Sequence, residues 1–164
     1  MALIIEDGSI VPNANSYITV AEYNAWADTR FGAGRSRAPA DDTEAEMLIL
    51  RAMDYFDGQN FIGEKTDCDQ PLQWPRAWVM IDDCDVGANE IPKEVKNSLY
   101  ELSYAEEQGN SELSSIDRKV KREKVSSIEV EYADNSSSAV INRAVPNAMR
   151  KLLEYGGGFM VRRV

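Results

Sequence analysis

The sequence predicts a mainly α-helical fold: a small bundle of about four helices, with a β-hairpin near residues 119–132 and a β-prone C-terminal arm. Apolar residues recur at helical spacing in four segments, whereas the alternation of apolar and acidic residues in IEVEY is typical of a strand. A chain of 164 residues is long enough for one domain with its own core. We therefore expect residues 1–155 to form a single helical domain and residues 156–164 an appended arm.

The first helix is predicted to begin after Thr19. Thr19 and Glu22 have the spacing of a capping box, in which each side chain accepts a hydrogen bond from the other residue's backbone N–H. The glycines at 32 and 34 are expected to end this helix. Its apolar face at helical spacing comprises Val20, Tyr23, Trp26, Ala27 and Phe31.

The second helix has the strongest periodic pattern in the chain, and we expect it to start at Asp42 or Thr43 and to end near Gly58. Its predicted buried residues are Ala45, Leu48, Ile49, Ala52, Met53 and Phe56. Residues 59–90 follow with no sustained period. We predict a long ordered loop there, with no more than one short strand, of the kind that is usually functional or bound to a partner.

A third helix is predicted to begin at Ile91-Pro92, because proline lacks the N–H that the first turn of a helix leaves unpaired. Its buried residues would be Val95, Leu99, Leu102 and Ala105, before Gly109 ends it. A fourth helix is expected to start near Pro146 and to carry Ala148, Met149, Leu152 and Tyr155. The glycines 156–158 would form a hinge for FMVRRV, a β-prone segment typical of a docking arm.

The segment 119–132, KVKREKVSSIEVEY, has two interpretations. As a nucleic-acid strip, it would place its lysines and arginine against phosphates. As a hairpin that reverses at Ser126-Ser127, it would place opposite charges across from each other. The predicted partners are Val125 with Ile128, Lys124 with Glu129, and Arg122 with Glu131. We favour the hairpin, since it also explains the alternation.

The charge of the chain argues against a surface built for phosphate. The net charge is −10, and it is distributed unevenly: residues 1–117 contain 8 Lys and Arg against 23 Asp and Glu, whereas residues 118–164 contain 10 against 5. Nucleic-acid-binding surfaces are basic. An acidic body with a basic tail predicts charge-complementary contacts between proteins.

The residues that most enzymes and metal sites use are absent from this sequence or lack the required spacing. The chain contains no histidine, the commonest general base and metal ligand. Asp82, Asp83 and Asp85 suggest a calcium loop, but the spacing fails the EF-hand pattern. Cys68 and Cys84 do not form a CxxC motif, and a reducing cytosol would leave them as thiols. We expect no enzymatic activity, no cofactor and no metal.

Three further features limit the function. Trp74, Trp78 and Tyr55 could stack on bases, although aromatic residues beside Pro and Leu are more often loop anchors pressed into the core. No window approaches the roughly 18 consecutive apolar residues of a membrane span. The N-terminus lacks a basic region ahead of its short apolar run, so we expect neither a membrane protein nor a secreted one.

Several separated motifs resemble one family. The stretches MALIIEDGS, NSYITVAEYNAW, LILRAMDYFDG, PLQWPRAW, IPKEVKNSLYELS and VKREKVSSIEVEYAD occur in this order. Together they resemble the tailed-bacteriophage proteins labelled "DnaT-like single-stranded DNA-binding". That family resembles in turn the head-to-tail connector, or head-completion, adaptors of phage virions.

The adaptor resemblance implies a structural virion protein at the head–tail interface, made in the host cytoplasm. It would form a ring, commonly of twelve subunits, with the portal protein and a tail or tail-completion protein as partners. Packaged double-stranded DNA would pass through without specific binding. The DnaT-like label implies the alternative, a single-stranded DNA-binding accessory protein of phage replication. The expected protein-interface residues are Trp74, Arg76, Lys121, Arg122, Lys124, Glu129, Glu131, Phe159, Val161, Arg162 and Arg163.

Overall fold

The computed structural model describes residues 2–109, 122–125, 128–131 and 149–154. Within these residues the chain forms a mixed small domain of three α-helices and three antiparallel strand pairs. The helices are α1 (Val20–Phe31), α2 (Asp42–Asp57) and α3 (Lys93–Glu107). The strands are β1 (Glu64–Lys65), β2 (Arg76–Ala77), β3 (Val79–Ile81), β4 (Cys84–Val86), β5 (Arg122–Val125) and β6 (Ile128–Glu131).

The three helices confirm the periodic patterns from which they were predicted. The capping box at the start of α1 is formed: the N–H of Glu22 donates to Thr19 Oγ1 at 3.1 Å, and the N–H of Thr19 donates to Glu22 Oε2 at 2.8 Å. The buried residues of α2 are the six that its period predicts. Helix α3 packs against both α2 and α1 and buries its predicted apolar face. These three helices surround most of the core.

Phe31 lies at the exposed end of the apolar face of α1. Its ring is 46% exposed at the end of α1, where it stacks on Tyr104 of α3 with ring centroids 4.0 Å apart. Because α1 ends here, this ring packs against the side of α3 and remains partly exposed. The apolar face predicted for α1 is therefore buried at Tyr23 and Ala27 and half-exposed at its C-terminal end.

The fourth predicted helix, in which Met149 is helical, does not extend as far as predicted. Residues 150–154 form a turn followed by an extended segment, not a helix. Leu153 pairs with Phe61 as an isolated antiparallel bridge, and the N–H of Ile62 donates to the carbonyl of Leu152 at 2.9 Å. One turn suffices to bury both Met149 and Leu152. Their spacing of three therefore fits a turn as well as a helix, and the predicted start near Pro146 lies outside the described residues.

The region 59–90 contains four short strands, where one at most was expected. Strands β1 and β2 pair Glu64 with Ala77 and Lys65 with Arg76. Strands β3 and β4 pair Val79 with Val86, Met80 with Asp85 and Ile81 with Cys84. Strands of two or three residues are too short to produce a detectable alternation. Asp82 and Asp83 connect β3 to β4 with positive φ angles of 51° and 63°, a geometry that hairpin turns favour and aspartate tolerates.

No described helix is both long and apolar enough to cross a membrane.

Candidate protein-interaction surface

Trp74 lies at the centre of the core. Its side chain is 0% exposed, and its ring meets the ring of Phe61 edge-on, with centroids 6.1 Å apart. Its backbone N–H donates to the hydroxyl of Tyr17 at 2.8 Å. The expectation that Trp74 anchors its loop inside the core is confirmed. Its indole is therefore not part of the surface that the described chain presents to a partner.

Arg76, the other residue expected to anchor an interface, holds the backbone of the 59–75 region together. Its guanidinium donates to the carbonyls of Ile62 at 2.8 Å, Gly63 at 2.7 Å, Phe61 at 3.2 Å and Gln73 at 3.3 Å. The residue is 9% exposed. An arginine can satisfy several carbonyls at once because its five N–H donors form a rigid planar fork. Arg76 thus stabilises the loop that carries β1 and β2.

The predicted hairpin is formed in the predicted register. Strand β5 pairs Arg122 with Glu131, Lys124 with Glu129 and Val125 with Ile128 of β6. For these two strands the backbone pairing is described, and the side chains are not. The remaining expected interface residues lie outside the described part of the chain; they are Lys121, Phe159, Val161, Arg162 and Arg163.

The outer face of the β3–β4 hairpin carries exposed apolar side chains. Trp78, which precedes β3, is 87% exposed, and Met80 is 58% exposed. The alternate residues Val79 and Ile81 are buried, so the inner face of the hairpin belongs to the core. Asp85 pairs with Met80 across the hairpin and therefore lies on the same face. We call Trp78, Met80 and Asp85 the outer hairpin face; the expectation that Trp78 anchors a loop in the core was wrong.

An acidic cleft of about 500 Å³ lies between this hairpin and the start of α3. Its apolar lining includes Ile81, Val86 and Pro92. Its polar lining consists of Asp82, Cys84, Asp85, Glu90, Lys93 and Glu94. Four carboxylates against one ammonium group make this a site that favours cationic groups.

One cation already lies at the rim of the acidic cleft. The ammonium of Lys151, in the last described segment, forms an ion pair with Asp82. The hydrogen bond to Asp82 raises the pKa of Lys151, and the charges of Asp82 and Glu94 act in the same direction. The carboxylates of the cleft thus act together on a positive charge brought from a distant part of the sequence.

Four aromatic rings form a second surface cluster, between α1 and α3. Trp26 stacks on Tyr100 with centroids 5.5 Å apart, and Phe31 stacks on Tyr104. The guanidinium of Arg30 lies 4.9 Å from the centroid of Trp26. Each ring thus has part of its π surface covered by a neighbouring ring. This packing leaves less ring surface for base stacking than separate exposed rings would.

The comparisons with known proteins give one match. The model of a family described as "Putative DnaT-like ssDNA binding protein" matches residues 1–164. The chain belongs to this family. The matched range includes α1, α2 and α3, the outer hairpin face, the acidic cleft and the basic segment that follows α3. No curated protein and no solved structure matches the chain.

The described body of this DnaT-like family member is strongly acidic. Residues 2–109 contain 8 Lys and Arg against 21 Asp and Glu, a net charge of −13. Cys68 and Cys84 are free and exposed. Among the described residues, no three His, Cys, Asp or Glu side chains form a group that could hold a metal ion. This body therefore presents carboxylates and apolar side chains to its surroundings.

Sequence reasoning missed the acidic cleft and the outer hairpin face of this DnaT-like protein. The signal that could have found them is the pair DD at 82–83, flanked by VMI and CDV, which is compatible with a two-residue hairpin turn. A hairpin there would have placed Val79 and Ile81 on one face and Trp78 and Met80 on the other. It would also have grouped Asp82 and Asp85 near its tip.

Proposed function

We propose that this chain is a structural virion protein, a head-to-tail adaptor that forms an oligomeric ring between portal and tail and lines the DNA exit channel. The observation that supports this most is the outer hairpin face. Trp78 is 87% exposed, yet the hairpin that carries it is fixed to the core through Val79 and Ile81. A large aromatic residue held at the surface by an ordered element is typical of an interface hot spot.

The surroundings of Trp78 favour a protein partner. Asp82, Asp83 and Asp85 lie on the same hairpin, so the apolar face has an acidic border. Protein interfaces combine an apolar centre with a charged rim that selects a complementary partner. Residues 118–124 of a neighbouring subunit, which include five Lys and Arg, have the complementary charge. A contact of this kind would join subunits head to tail, the type of contact that forms a ring when the rotation between neighbours closes.

The charge of the body suits the wall of a DNA channel. A net charge of −13 in residues 2–109 repels phosphate, so a duplex would pass without adhering. The proposal includes no catalytic residue and no cofactor. It gives the protein its place in the virion, at the head–tail interface, after synthesis in the host cytoplasm.

Native mass spectrometry of the full chain, alone and mixed with the portal protein of the same phage, tests the proposal. We expect a closed ring, commonly of twelve subunits by the family resemblance, at least in the presence of portal. Trp78→Ala should reduce assembly by ten-fold or more while the protein stays folded. Met47→Ala is the matched control, since Met47 is 49% exposed on α2. A persistent monomer that does not bind portal would contradict the proposal.

The second candidate function is single-stranded DNA binding as an accessory protein of phage replication. The family description favours it, and residues 118–164 have a net charge of +5. Titration of a labelled oligonucleotide across a salt series tests it. Submicromolar binding at moderate salt, lost in the triple variant Lys121→Ala/Arg122→Ala/Lys124→Ala, would support this function. The logarithm of the binding constant falls linearly with the logarithm of the salt concentration, and each phosphate contact on a single strand contributes about 0.7 to the steepness of that line. The triple variant should therefore lower the steepness by about 2.

A further inference from the structure

We propose that the C-terminal arm, residues 156–164, docks into the acidic cleft of its own chain. The proposal depends neither on a ring nor on DNA, so it stands or fails separately from the proposed function. Its starting point is the ion pair between Lys151, near the end of the described chain, and Asp82 at the rim of the cleft. Its second support is the chemical match between the cleft and the sequence FMVRRV.

The last described residues are fixed to the body of the domain. The N–H of Glu154 donates to the carbonyl of Asn60 at 2.9 Å, and Leu153 pairs with Phe61. Three residues before Glu154, Lys151 already forms an ion pair with Asp82 at the rim. The five residues from 155 to 159 span up to about 17 Å when extended. A segment of this length can fold back toward the rim where Lys151 meets Asp82.

The arm has the residue types that the cleft favours. Phe159, Met160 and Val161 are apolar and match the lining formed by Ile81, Val86 and Pro92. Arg162 and Arg163 follow directly, and arginine binds carboxylates through paired hydrogen bonds. The carboxylates of Glu90 and Glu94 belong to the lining of the cleft. A volume of about 500 Å³ is large enough to take one or two of the apolar side chains.

The glycine hinge makes docking in the same chain favourable. A short flexible tether gives its segment an effective concentration of about a millimolar, so even weak affinity keeps the site occupied. Glycines 156–158 let the chain turn toward the cleft without steric cost. Part of the attraction is between charges near the surface, so docking should weaken as salt rises.

Cys84 lines the cleft and supplies a direct test. In the full chain, Cys68→Ser removes the other thiol and Val161→Cys places a new thiol in the arm. Under mild oxidation we expect an intramolecular disulfide between positions 84 and 161, read as a monomer that loses two hydrogens by mass spectrometry. Adding Arg162→Glu/Arg163→Glu should slow its formation about ten-fold at low salt and by a smaller factor at high salt. Rates are normalised to each thiol's reaction with a small neutral disulfide, because nearby charge changes thiol reactivity.

A charge swap distinguishes docking of the arm into the cleft from chance encounters between a tethered arm and Cys84. Glu90→Arg/Glu94→Arg on the cleft side should also slow the disulfide, and combining it with Arg162→Glu/Arg163→Glu should restore at least half of the original rate. Circular dichroism checks that the cleft variants fold; if they do not, the arm variants still decide the question because they leave the described body unchanged. Equal rates with and without the arm's arginines would overturn the proposal. Predominantly disulfide-linked dimers at low micromolar protein would also overturn it, since the arm would then occupy another copy.

Discussion

The phenol of Tyr23 in α1 donates a 2.5 Å hydrogen bond to the carboxylate of Glu107, the last residue of α3. The guanidinium of Arg35 completes the arrangement, with its Nε 2.9 Å from Oε1 and 3.1 Å from Oε2 of the same carboxylate. The side chains of Arg35 and Glu107 are both buried, and Arg35 also forms an ion pair with Asp28. Burial raises the pKa of Tyr23, and its bond to Glu107 adds to this, so the phenol stays protonated as a donor. This network connects α1, the loop after it and the last turn of α3.

The first prediction concerns Glu107→Gln. The amide keeps the shape of the side chain but removes the charge that Arg35 requires, and removal of one member of a buried ion pair is costly. We expect the free energy of unfolding to fall by about 2–4 kcal/mol. Urea denaturation followed by circular dichroism measures it. Glu106→Gln is the control, because the carboxylate of Glu106 makes no ion pair within the described residues, and it should change stability by less than about 0.5 kcal/mol. Similar losses in both variants would contradict the role given to the network.

The second prediction concerns Asp57, at the end of α2. Burial raises the pKa of this carboxyl to about 6, although the Gln73 backbone and the charge of Lys65 oppose the shift. Its Oδ1 is buried without a hydrogen-bond partner among the described residues. A raised carboxyl pKa means that the folded state holds its proton more tightly than the unfolded state does. Stability therefore falls as pH rises from about 4 to about 6 and is lowest, with respect to this group, above that range.

Asp57→Asn isolates this effect. At pH 7 the free energy of unfolding of the variant should be about 1–2 kcal/mol higher than that of the parent chain. This figure allows for the part of the Asp57 side chain that water reaches. The difference should shrink as pH is lowered and vanish near pH 3, which is below both pKa values, so that the carboxyl is protonated in the folded and in the unfolded state. Asp83→Asn, at an exposed carboxylate that does not contribute to the pKa shift of Asp57, controls for the loss of a charge. A gain for Asp57→Asn that persists undiminished at pH 3 would rule out titration as its cause.

The third prediction concerns Arg76→Lys. A lysine keeps the charge, but its single ammonium cannot reach all four carbonyls that the guanidinium satisfies. Buried carbonyls without donors cost about 1–3 kcal/mol each before relaxation, so we expect a total loss of about 2–4 kcal/mol in urea denaturation. Arg51→Lys, on the exposed side of α2, should change stability by less than about 0.5 kcal/mol. If Arg76→Lys left stability unchanged and weakened only binding to a partner, the original expectation of an interface anchor would be correct.

The helices could be predicted from the sequence because their signals are local. The capping residues Thr19 and Glu22 lie three positions apart, and the six buried residues of α2 follow one period. The register of β5 and β6 was equally predictable, since alternation and opposite charges agree on one pairing. In each case the residues that interact are close in sequence, so propensity and pattern give the same answer.

The candidate surface could not be predicted in the same way. Trp74 and Trp78 lie four positions apart in similar sequence, yet the first is fully buried and the second is 87% exposed. Contacts with Tyr17 and Phe61 determine the position of Trp74. Tyr17 is distant from Trp74 in the sequence, and Phe61 is separated from it by a short strand that no sequence pattern reveals. The acidic cleft likewise depends on how the β3–β4 hairpin lies against α3. Tertiary packing determines such features, and a single sequence carries little trace of it.

The last prediction concerns Gly63, where three backbone segments meet just before β1. Its φ of +75° is a conformation that side chains disfavour, and a Cβ atom there would lie 2.5 Å from the carbonyl oxygen of Ala77 and 2.5 Å from Val79 Cγ2. Gly63→Ala should therefore displace β2 and the start of β3 and lower the free energy of unfolding by about 2–4 kcal/mol. Gly34→Ala is the matched control, because nothing lies within 4 Å of its added Cβ, and it should be neutral or stabilising by up to about 1 kcal/mol. Since β3 carries the outer hairpin face, Gly63→Ala should also quench or shift the fluorescence of exposed Trp78 in a chain that remains folded. Equal effects of the two substitutions in urea denaturation would contradict the close packing of Gly63 against β2 and β3.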